Sequence, residues 1–570
     1  MDLLYSDIQH LVAIKLCFFL FLIFAIVGIY RKWRLGYFVG LISLLSGISY
    51  LLLVRGRELM FWGLHGDEVT IAAMYTMVSK GPGFVDFAYT HLPAFYPPLY
   101  FWVFGFIGRM LSLNGVQVAK IATFSTILFV PIMLYLVQAW FWKKKKDAGI
   151  LFTQKLLWFL STLLLFVVIE WDAIITKPYQ FVSAAGIIIW TTMLLYWVHK
   201  ERLRLLSGIV FGIVGGLLFL TYYFWFFLAA IGITFFHLFY KRVSFRAYLS
   251  LFGVGALTLL VGSPFWWPLA RSYRAFGTEN WQFGYLLVEW LSTHVSFFTF
   301  SISSLVMLFG FGVLVWYRKR FYCRVLLSLF IASYVWQIMG LFTILFLASP
   351  MQEAKGFYFF SRSVLAFGAA YGMTRVWFFI RRKYKGNIFI LRTIQIIAIC
   401  FLATQLPFGF FIDEPLIYNT RVSARALNPE VRLLIDYLDD KHVEDSVTVH
   451  SGITGLHAFL PLNTFVYFNM NNSHPAALFS ERLLVLDELS RAKTPEEFYT
   501  ISQNNYVDTI GRFILRKDEG EQYLLYFLID NFPHGTKEHI ISFSKDLISD
   551  THFSSVFETE HFVIFESKNL

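Results

Sequence analysis

The sequence predicts a polytopic α-helical membrane protein with a C-terminal α/β domain. Three observations carry this. The 570 residues are 57% hydrophobic and 20% aromatic but only 15% charged, outside the range of soluble globular chains. Apolar runs long enough to cross a bilayer as helices, about 18–20 residues each, recur along most of the chain. Strands of a barrel would instead be short alternating segments. The charge then changes sign: residues 1–406 hold 13 Asp and Glu against 35 Lys and Arg, residues 407–570 hold 24 against 13. A membrane part over 1–406 therefore precedes a soluble part over 407–570. The net charge of +11 reads as anchoring at the cytoplasmic face by the positive-inside rule, and no nucleic-acid partner is expected. The opening residues, "MDLLYSDIQH", lack the basic start and small-residue site of a cleavable signal. The three cysteines, Cys17, Cys323 and Cys400, offer neither a disulfide framework nor zinc spacing.

Basic clusters mark the expected cytoplasmic loops: "RKWR" (31–34), "KKKKD" (143–147), "HKERLR" (199–204), "KRVSFR" (241–246), "YRKR" (317–320) and "RRKYK" (381–385). Spans expected between them run over 11–30, 36–54, 117–141, 151–169, 180–198, 206–221, 223–240, 247–265, 295–316, 325–348, 361–380 and 387–406. Residues 206–240 supply two spans only if the chain turns near "TYYF". The apolar stretch 97–111 is short. Parity favours a helix that dips into the outer leaflet and returns, a full crossing being the alternative, for about 12–13 spans in all. Both termini and the tail then lie outside the cytoplasm. Nine membrane-part carboxylates fall on outer loops or outer helix ends: Glu58, Asp67, Glu68, Asp86, Glu170, Asp172, Glu279, Glu289 and Glu353.

The tail reads as a small α/β domain. "LNPEVRLLIDYLDDK" is an amphipathic helix opened by Asn428 and Pro429. "DSVTVHSG" and "NTFVYFNM" read as strands and "HPAALFSERLLVLDELSRA" as a helix. Thr494 and Pro495 start a further helix, and "SVFETEHFVIFES" forms a hairpin. No nucleotide-binding glycine fingerprint lies between a strand and a helix.

The outer loops hold the candidate chemistry. In "GLHGDEVTIAAMY", Asp67 and Glu68 open a helix whose N-terminal partial charge keeps a carboxylate ionised. Capping by Asp67 with a first-turn Glu68 is the structural alternative. In "DFAYTHLPAFYPPLYFWV", Tyr89, His91 and Tyr96 place polar groups beside aromatic surface, as a sugar site needs, although an interfacial aromatic belt looks similar. In "IEWDAIITKPYQ", Glu170 and Asp172 end one span, and Lys177 opens the next ahead of Pro178 and Tyr179. A lysine at a helix N-terminus calls for an anion, which a phosphate would supply. Lys355 and Arg362 flank another outer span end, and Arg271 and Arg274 add cations on the same side.

The acidic pair, then "FYPPLYFWVFGFIGRML", then "KPYQ", with the tail elements "HPAALFSERLLVLDELSRAKTPEEFY" and "FETEHFVIF", resemble the galactan 5-O-arabinofuranosyltransferases of the mycobacterial and corynebacterial cell wall. Those belong to the GT-C class of membrane glycosyltransferases. Leu99 stands where that family's motif leads one to expect Gly. The resemblance implies a multi-pass protein of a bacterial cytoplasmic membrane. It would move a sugar, arabinofuranose by analogy, from a polyprenyl-phosphate donor to a cell-envelope glycan at the outer face. Asp67 would be the base, with Glu68 orienting the acceptor or Asp67. Lys177, Lys355, Arg362 and Tyr179 would hold the donor phosphate. His91, Tyr96, Glu170 and Asp172 would hold sugar or acceptor. Membrane lipid is a further partner. No cofactor is required by this class, but the outer carboxylates could bind a divalent metal. A transporter of lipid-linked sugars or a non-catalytic lipid-glycan binding protein are the alternatives.

Overall fold

A computed structural model of the chain describes residues 4–141, 148–169, 171–200, 203–239, 244–279, 297, 299–347, 352, 355–384, 387–405, 421–520, 522–532, 534–548 and 551–568. Each of the twelve expected spans falls on a helix. They are α1 (Tyr5–Tyr30), α2 (Leu35–Val54), α5 (Gly115–Phe141), α6 (Ala148–Val168), α8 (Pro178–His199) and α9 (Leu205–Thr221). The others are α10 (Phe224–Phe239), α11 (Phe245–Phe276), α12 (Ile302–Trp316), α13 (Phe321–Leu347), α14 (Arg362–Lys383) and α15 (Ile388–Gln405). Among the described residues seven helices are long and apolar enough to cross a membrane, and the other five are shorter apolar helices. Apolar side chains such as Leu16, Phe19 and Ile23 are exposed on α1 and Phe252 on α11, the surface of a multi-pass membrane protein rather than of a soluble one. The break expected near "TYYF" is real: α9 stops at Thr221, Tyr222 is extended, and α10 begins at Phe224.

Helices α3 (Asp67–Ser79) and α4 (Leu99–Met110) lie between α2 and α5. Glu68 through Ser79 are all buried, as an all-round apolar helix requires. With 12 residues, α4 is about 18 Å long, short of the ~30 Å hydrocarbon layer. A short helix, α7 (Trp171–Thr176), precedes α8.

Arg392 stands 4.9 Å over the Tyr30 ring, His199 stacks on Phe321 at 5.5 Å, and Arg375 lies 5.8 Å over Tyr317. These contacts pack α15 on the end of α1, the end of α8 on the start of α13, and α14 on the end of α12. The "KKKK" run lies outside the described residues.

In the tail, α16 (Pro429–Asp439) starts as its sequence requires, with the Asn428 side chain accepting from the Glu430 N–H at 2.9 Å. Strands β1 (Val447–His450), β2 (Asn463–Thr464) and β3 (Arg512–Lys517) are parallel, in the order β2-β1-β3. The short helix α17 (Thr454–Phe459) links β1 to β2, and α18 (Phe479–Ser490) with α19 (Pro495–Asn504) links β2 to β3. The chain thus passes to one side of β1 and returns on the other. Thr494 caps α19 through the Glu497 N–H at 3.2 Å. The hairpin β4 (Gln522–Asp530) with β5 (Thr536–Ser544) extends from β3, and the expected terminal hairpin is β6 (Phe553–Glu558) with β7 (Phe562–Ser567). "NTFVYFNM" is a strand only over Asn463–Thr464. Beyond it the backbone turns to other partners: the Tyr467 N–H donates to the Tyr89 hydroxyl at 2.9 Å, and the Phe468 carbonyl accepts from Leu528 at 2.7 Å.

The tail is bonded to the helix bundle along several loops. Glu58 and Leu59 N–H groups donate to the Arg425 and Ala424 carbonyls at 3.2 and 3.1 Å. Thr464 N–H meets the Ala88 carbonyl at 2.7 Å, and the Thr76 hydroxyl meets the Ala458 carbonyl at 2.7 Å. The strongest charge contact is buried. Asp7 of α1, 0% exposed, accepts from Arg421 at 2.7 and 3.0 Å and from Arg425 at 3.4 Å, and is also paired with Arg57. Removing one partner of such a buried network typically costs about 3–5 kcal/mol. Asp7→Ala is therefore expected to lower the unfolding midpoint of the detergent-solubilised protein sharply and to make the tail separable by limited proteolysis. An unchanged midpoint and digestion pattern would show that the network does not hold the tail.

Candidate active site

The loop before α3 is tightly wound. Gly63, Leu64 and Gly66 all have positive φ, at 79°, 62° and 56°. Gly63 also lies so close to the tail that a Cβ there would sit 2.5 Å from the Ser423 carbonyl oxygen, so only glycine fits. Gly66 is the N-cap and makes no side-chain cap, which puts Asp67 and Glu68 at the first two helical positions. Asp67 is thus not the cap that the sequence allowed.

The two carboxylates then part company. Glu68 is fully buried and turns back under the loop, where both its oxygens accept from the Trp62 N–H at 2.9 Å and one accepts from the Leu64 N–H at 3.2 Å. Burial pushes its carboxyl up to about 7, against the pull of these N–H groups. Asp67 points the other way and is ion-paired with Lys177, the residue immediately before Pro178 and α8. This pair stays accessible, at 42% and 28% of the side-chain surfaces. The anion that a lysine at the start of α8 called for is, in this structure, the Asp67 carboxylate.

A second lysine joins them. Lys355, just ahead of the π-helical turn Phe357–Ser361, has its ammonium 6.0 Å from the Tyr222 ring centroid. Burial pulls that ammonium down to about 8; Lys177 pulls it the same way and Asp67 opposes. Burial alone would raise the Asp67 carboxyl, but Lys177 and then Lys355 outweigh it and hold it below the usual carboxylate value. The charge of Asp67 is also felt at Tyr179, Tyr222 and Tyr467. Tyr179 and Tyr222 are 5.7 Å apart, and Tyr179 packs on Phe101 at 5.2 Å. Four chain segments thus converge here, placing one carboxylate and two ammonium groups among aromatic rings, with one positive charge in excess.

The remaining predicted residues are placed around this centre unequally. Tyr96 lies within electrostatic reach of Tyr222 and packs edge-on against Phe95 at 4.8 Å. His91 instead sits between Tyr89 and Phe276, at 6.3 and 6.4 Å, and burial together with Arg482 lowers its pKa. Arg362 opens α14 with its guanidinium 5.2 Å over the Tyr358 ring. Asp172 is half-buried on α7, where its carbonyl accepts from the Thr176 hydroxyl at 2.7 Å. Glu170 lies outside the described residues.

Two tyrosines escaped the sequence reading. Tyr222 lies in the "TYYF" turn, whose sequence marks only a break between spans. Tyr467 comes from the tail and meets the Thr70 hydroxyl at 3.4 Å. No local pattern marks a contact made across nearly 400 residues. For a metal, the described His and acidic residues whose ligand atoms lie within 4.8 Å of one another are Glu430, Glu560 and His561 on the tail surface. There His561 Nδ1 is 2.7 Å from Glu430, and the Thr559 hydroxyl donates to the same carboxylate at 2.9 Å. Asp67 and Glu68 aim at different partners and do not form a shared ligand pair. Compared with models of protein families and with curated proteins, the chain matches none.

The divergent environments of the two carboxylates separate their effects. Glu68→Ala leaves the Trp62 and Leu64 N–H groups buried without acceptors and should cost about 1–3 kcal/mol. Asp67→Ala removes an accessible ion pair and should change stability by about 1 kcal/mol or less. Thermal unfolding of the two variants checks this order; equal losses would contradict it.

Proposed function

We propose that the chain is an inverting membrane glycosyltransferase that takes a sugar from a polyprenyl-phosphate donor and passes it to a glycan hydroxyl. The observation that carries this is the convergence of Asp67, Lys177 and Lys355, with an unbalanced positive charge, beside Tyr179 and Tyr222. An ionised carboxylate next to surplus ammonium groups suits a reaction that takes up one proton and releases one phosphate anion. The helices long and apolar enough to cross a membrane support a lipid-borne donor. The motifs around Asp67, Tyr96 and Lys177 support a GT-C enzyme of the arabinofuranosyltransferase type, facing away from the cytoplasm.

In this mechanism Asp67 takes the proton of the acceptor hydroxyl as that oxygen bonds to the anomeric carbon. The bond from that carbon to the phosphate oxygen breaks, and the polyprenyl phosphate leaves with the electron pair. Lys177 exchanges its partner Asp67 for the departing phosphate, which both frees the base and meets the developing charge. Lys355 supplies the second positive contact, with Arg362 at the next helix start. The aromatic rings of Tyr96, Tyr179 and Tyr222 face the sugar, and Glu68 keeps the loop in place beneath Asp67.

Label transfer from a polyprenyl-phospho-sugar in purified membranes tests this directly. Asp67→Asn should lower turnover by about 10²-fold or more with donor binding intact; near-normal turnover would remove Asp67 as the base. Lys355 adds a pH signature. A phosphate binds its protonated form, so donor affinity should be flat below pH of about 8 and fall as pH rises through it. In Lys355→Met the affinity should be weaker by about 1.5–3 kcal/mol and this pH dependence should vanish. A decline in affinity that persists in Lys355→Met would assign the titration to another group.

A further inference from the structure

A cavity of about 330 Å³ opens between the bundle and the tail, within the range of small-ligand sites. One wall is the loop that carries the candidate site, through Leu59, Gly63 and Leu64. The other is the tail segment Ser451–Gly455, with Arg516 and Phe562 beside it. The position of that segment is not arbitrary. It follows β1, the strand at which the sheet order reverses, and open α/β sheets bind ligands at the carboxyl end of such a strand. Gly452, at φ 73°, lets β4 cross closely, since a Cβ there would be 2.7 Å from the Tyr526 carbonyl oxygen. Gly455 is hemmed in by Leu427 and Val431, at 3.0 and 3.2 Å from an added Cβ.

The lining is mixed in a particular way. Ser451 is buried, and its hydroxyl has no hydrogen-bond partner among the described residues. Asn428 spends its carbonyl oxygen on the Glu430 N–H, leaving its amide nitrogen as a donor. Thr454 is exposed at the rim. Arg516 is exposed, stacked 5.5 Å over Tyr526, and no described carboxylate pairs with it. Against these stand Leu64, Leu427, Ile453 and the Phe562 ring. A bare phosphate would meet too much apolar wall, and a lipid chain would strand the hydroxyl, amide and guanidinium. A sugar ring has one apolar C–H face and a rim of hydroxyls, and answers both halves of the lining.

We propose that this cleft binds a segment of the glycan acceptor, one or two sugar units away from the unit being modified. The inference rests on the transferase reading for the word acceptor, but not for the chemistry of the cleft. The connection to Asp67 is covalent and short. Leu64, in the cleft wall, is held by Glu68, the neighbour of Asp67, at 3.2 Å. Asp67 follows Leu64 by three residues of chain, so the two lie within about 11 Å of each other along the backbone.

The test uses the full-length protein in detergent with a panel of neutral pyranosyl and furanosyl hexasaccharides, and inorganic phosphate as a control. Saturation-transfer NMR should detect at least one saccharide on the wild-type chain and no competition by phosphate. Thr454→Phe, which fills the rim, and Arg516→Gln, which cannot disturb packing as much, should each weaken that binding by about tenfold. With a polyprenyl-phospho-sugar donor, the same variants should raise the KM for the hexasaccharide far more than they lower kcat. Absence of saccharide binding to the wild-type chain, or equal binding by both variants, overturns the cleft. Displacement by phosphate also overturns it, in favour of an anion site. The two claims fail separately: saccharide binding lost in the variants without any donor turnover by the wild type would sink the transferase and keep the cleft. Donor turnover with unchanged acceptor KM in both variants would do the reverse.

Discussion

The buried carboxylate of Glu68 is the constraint on which the site depends. It gathers the N–H groups of Trp62 and Leu64 and so fixes a loop with three positive-φ residues. It works together with the Gly63 N–H bond to the Met60 carbonyl at 3.1 Å and the Leu59 N–H bond to the Ala424 carbonyl of the tail. With it, Asp67 leaves the helix start in one direction only, towards Lys177. The same loop presents Leu59 and Gly63 to the tail, so one side chain sets both the pose of the candidate base and one wall of the neighbouring cleft. Two adjacent acids that look interchangeable in sequence are thus a buried scaffold and an accessible ion-pair partner.

Two unbalanced clusters in this molecule invite comparison. Asp7 faces three arginines, and Asp67 faces two lysines. The first is sealed. Arg421 spends its remaining donors on the carbonyls of Leu52 at 3.1 Å and Leu53 at 2.6 Å, and on Arg55 at 3.3 Å. Arginine suits that place because its fork of donors can be satisfied from several sides at once. The second is open and built from lysines, whose compact charge is easily transferred from one anion to another. The choice of cation matches a joint in the first case and, in the second, the exchange of anions that the proposed transfer would require.

Helices were legible because apolar length needs no partner to be recognised. The twelve expected spans fall on helices α1 to α15, and the caps at Asn428 and Thr494 formed as their local sequence required. Lys177 was legible too, because a cation at a helix start stands against the helix dipole. What was not legible came from outside the local pattern. The second half of "NTFVYFNM" has strand composition, but the Tyr467 N–H goes to the Tyr89 hydroxyl, and the segment reaches the sheet only through an isolated bridge to Leu528 of β4. Strands β3 to β5 passed unread although the hairpin after them did not. Tyr222 and Tyr467 join the site only because helices and tail fold over α3, and the opposite aims of Asp67 and Glu68 depend on a loop geometry that their spacing does not encode.

The contact between Asp7 and Arg421 spans 414 positions of chain. A ribosome finishes α1 long before Arg421 exists, so for most of synthesis Asp7 can have only Arg57 and Arg55 nearby as candidates for company. Contacts of such separation form late, after the loop between them has been closed by everything else. The first helix is therefore completed by one of the last segments to be made. A nascent chain stopped before residue 421 would carry a charged, unfinished end on α1, a mark by which quality control could tell a truncated product from a finished one.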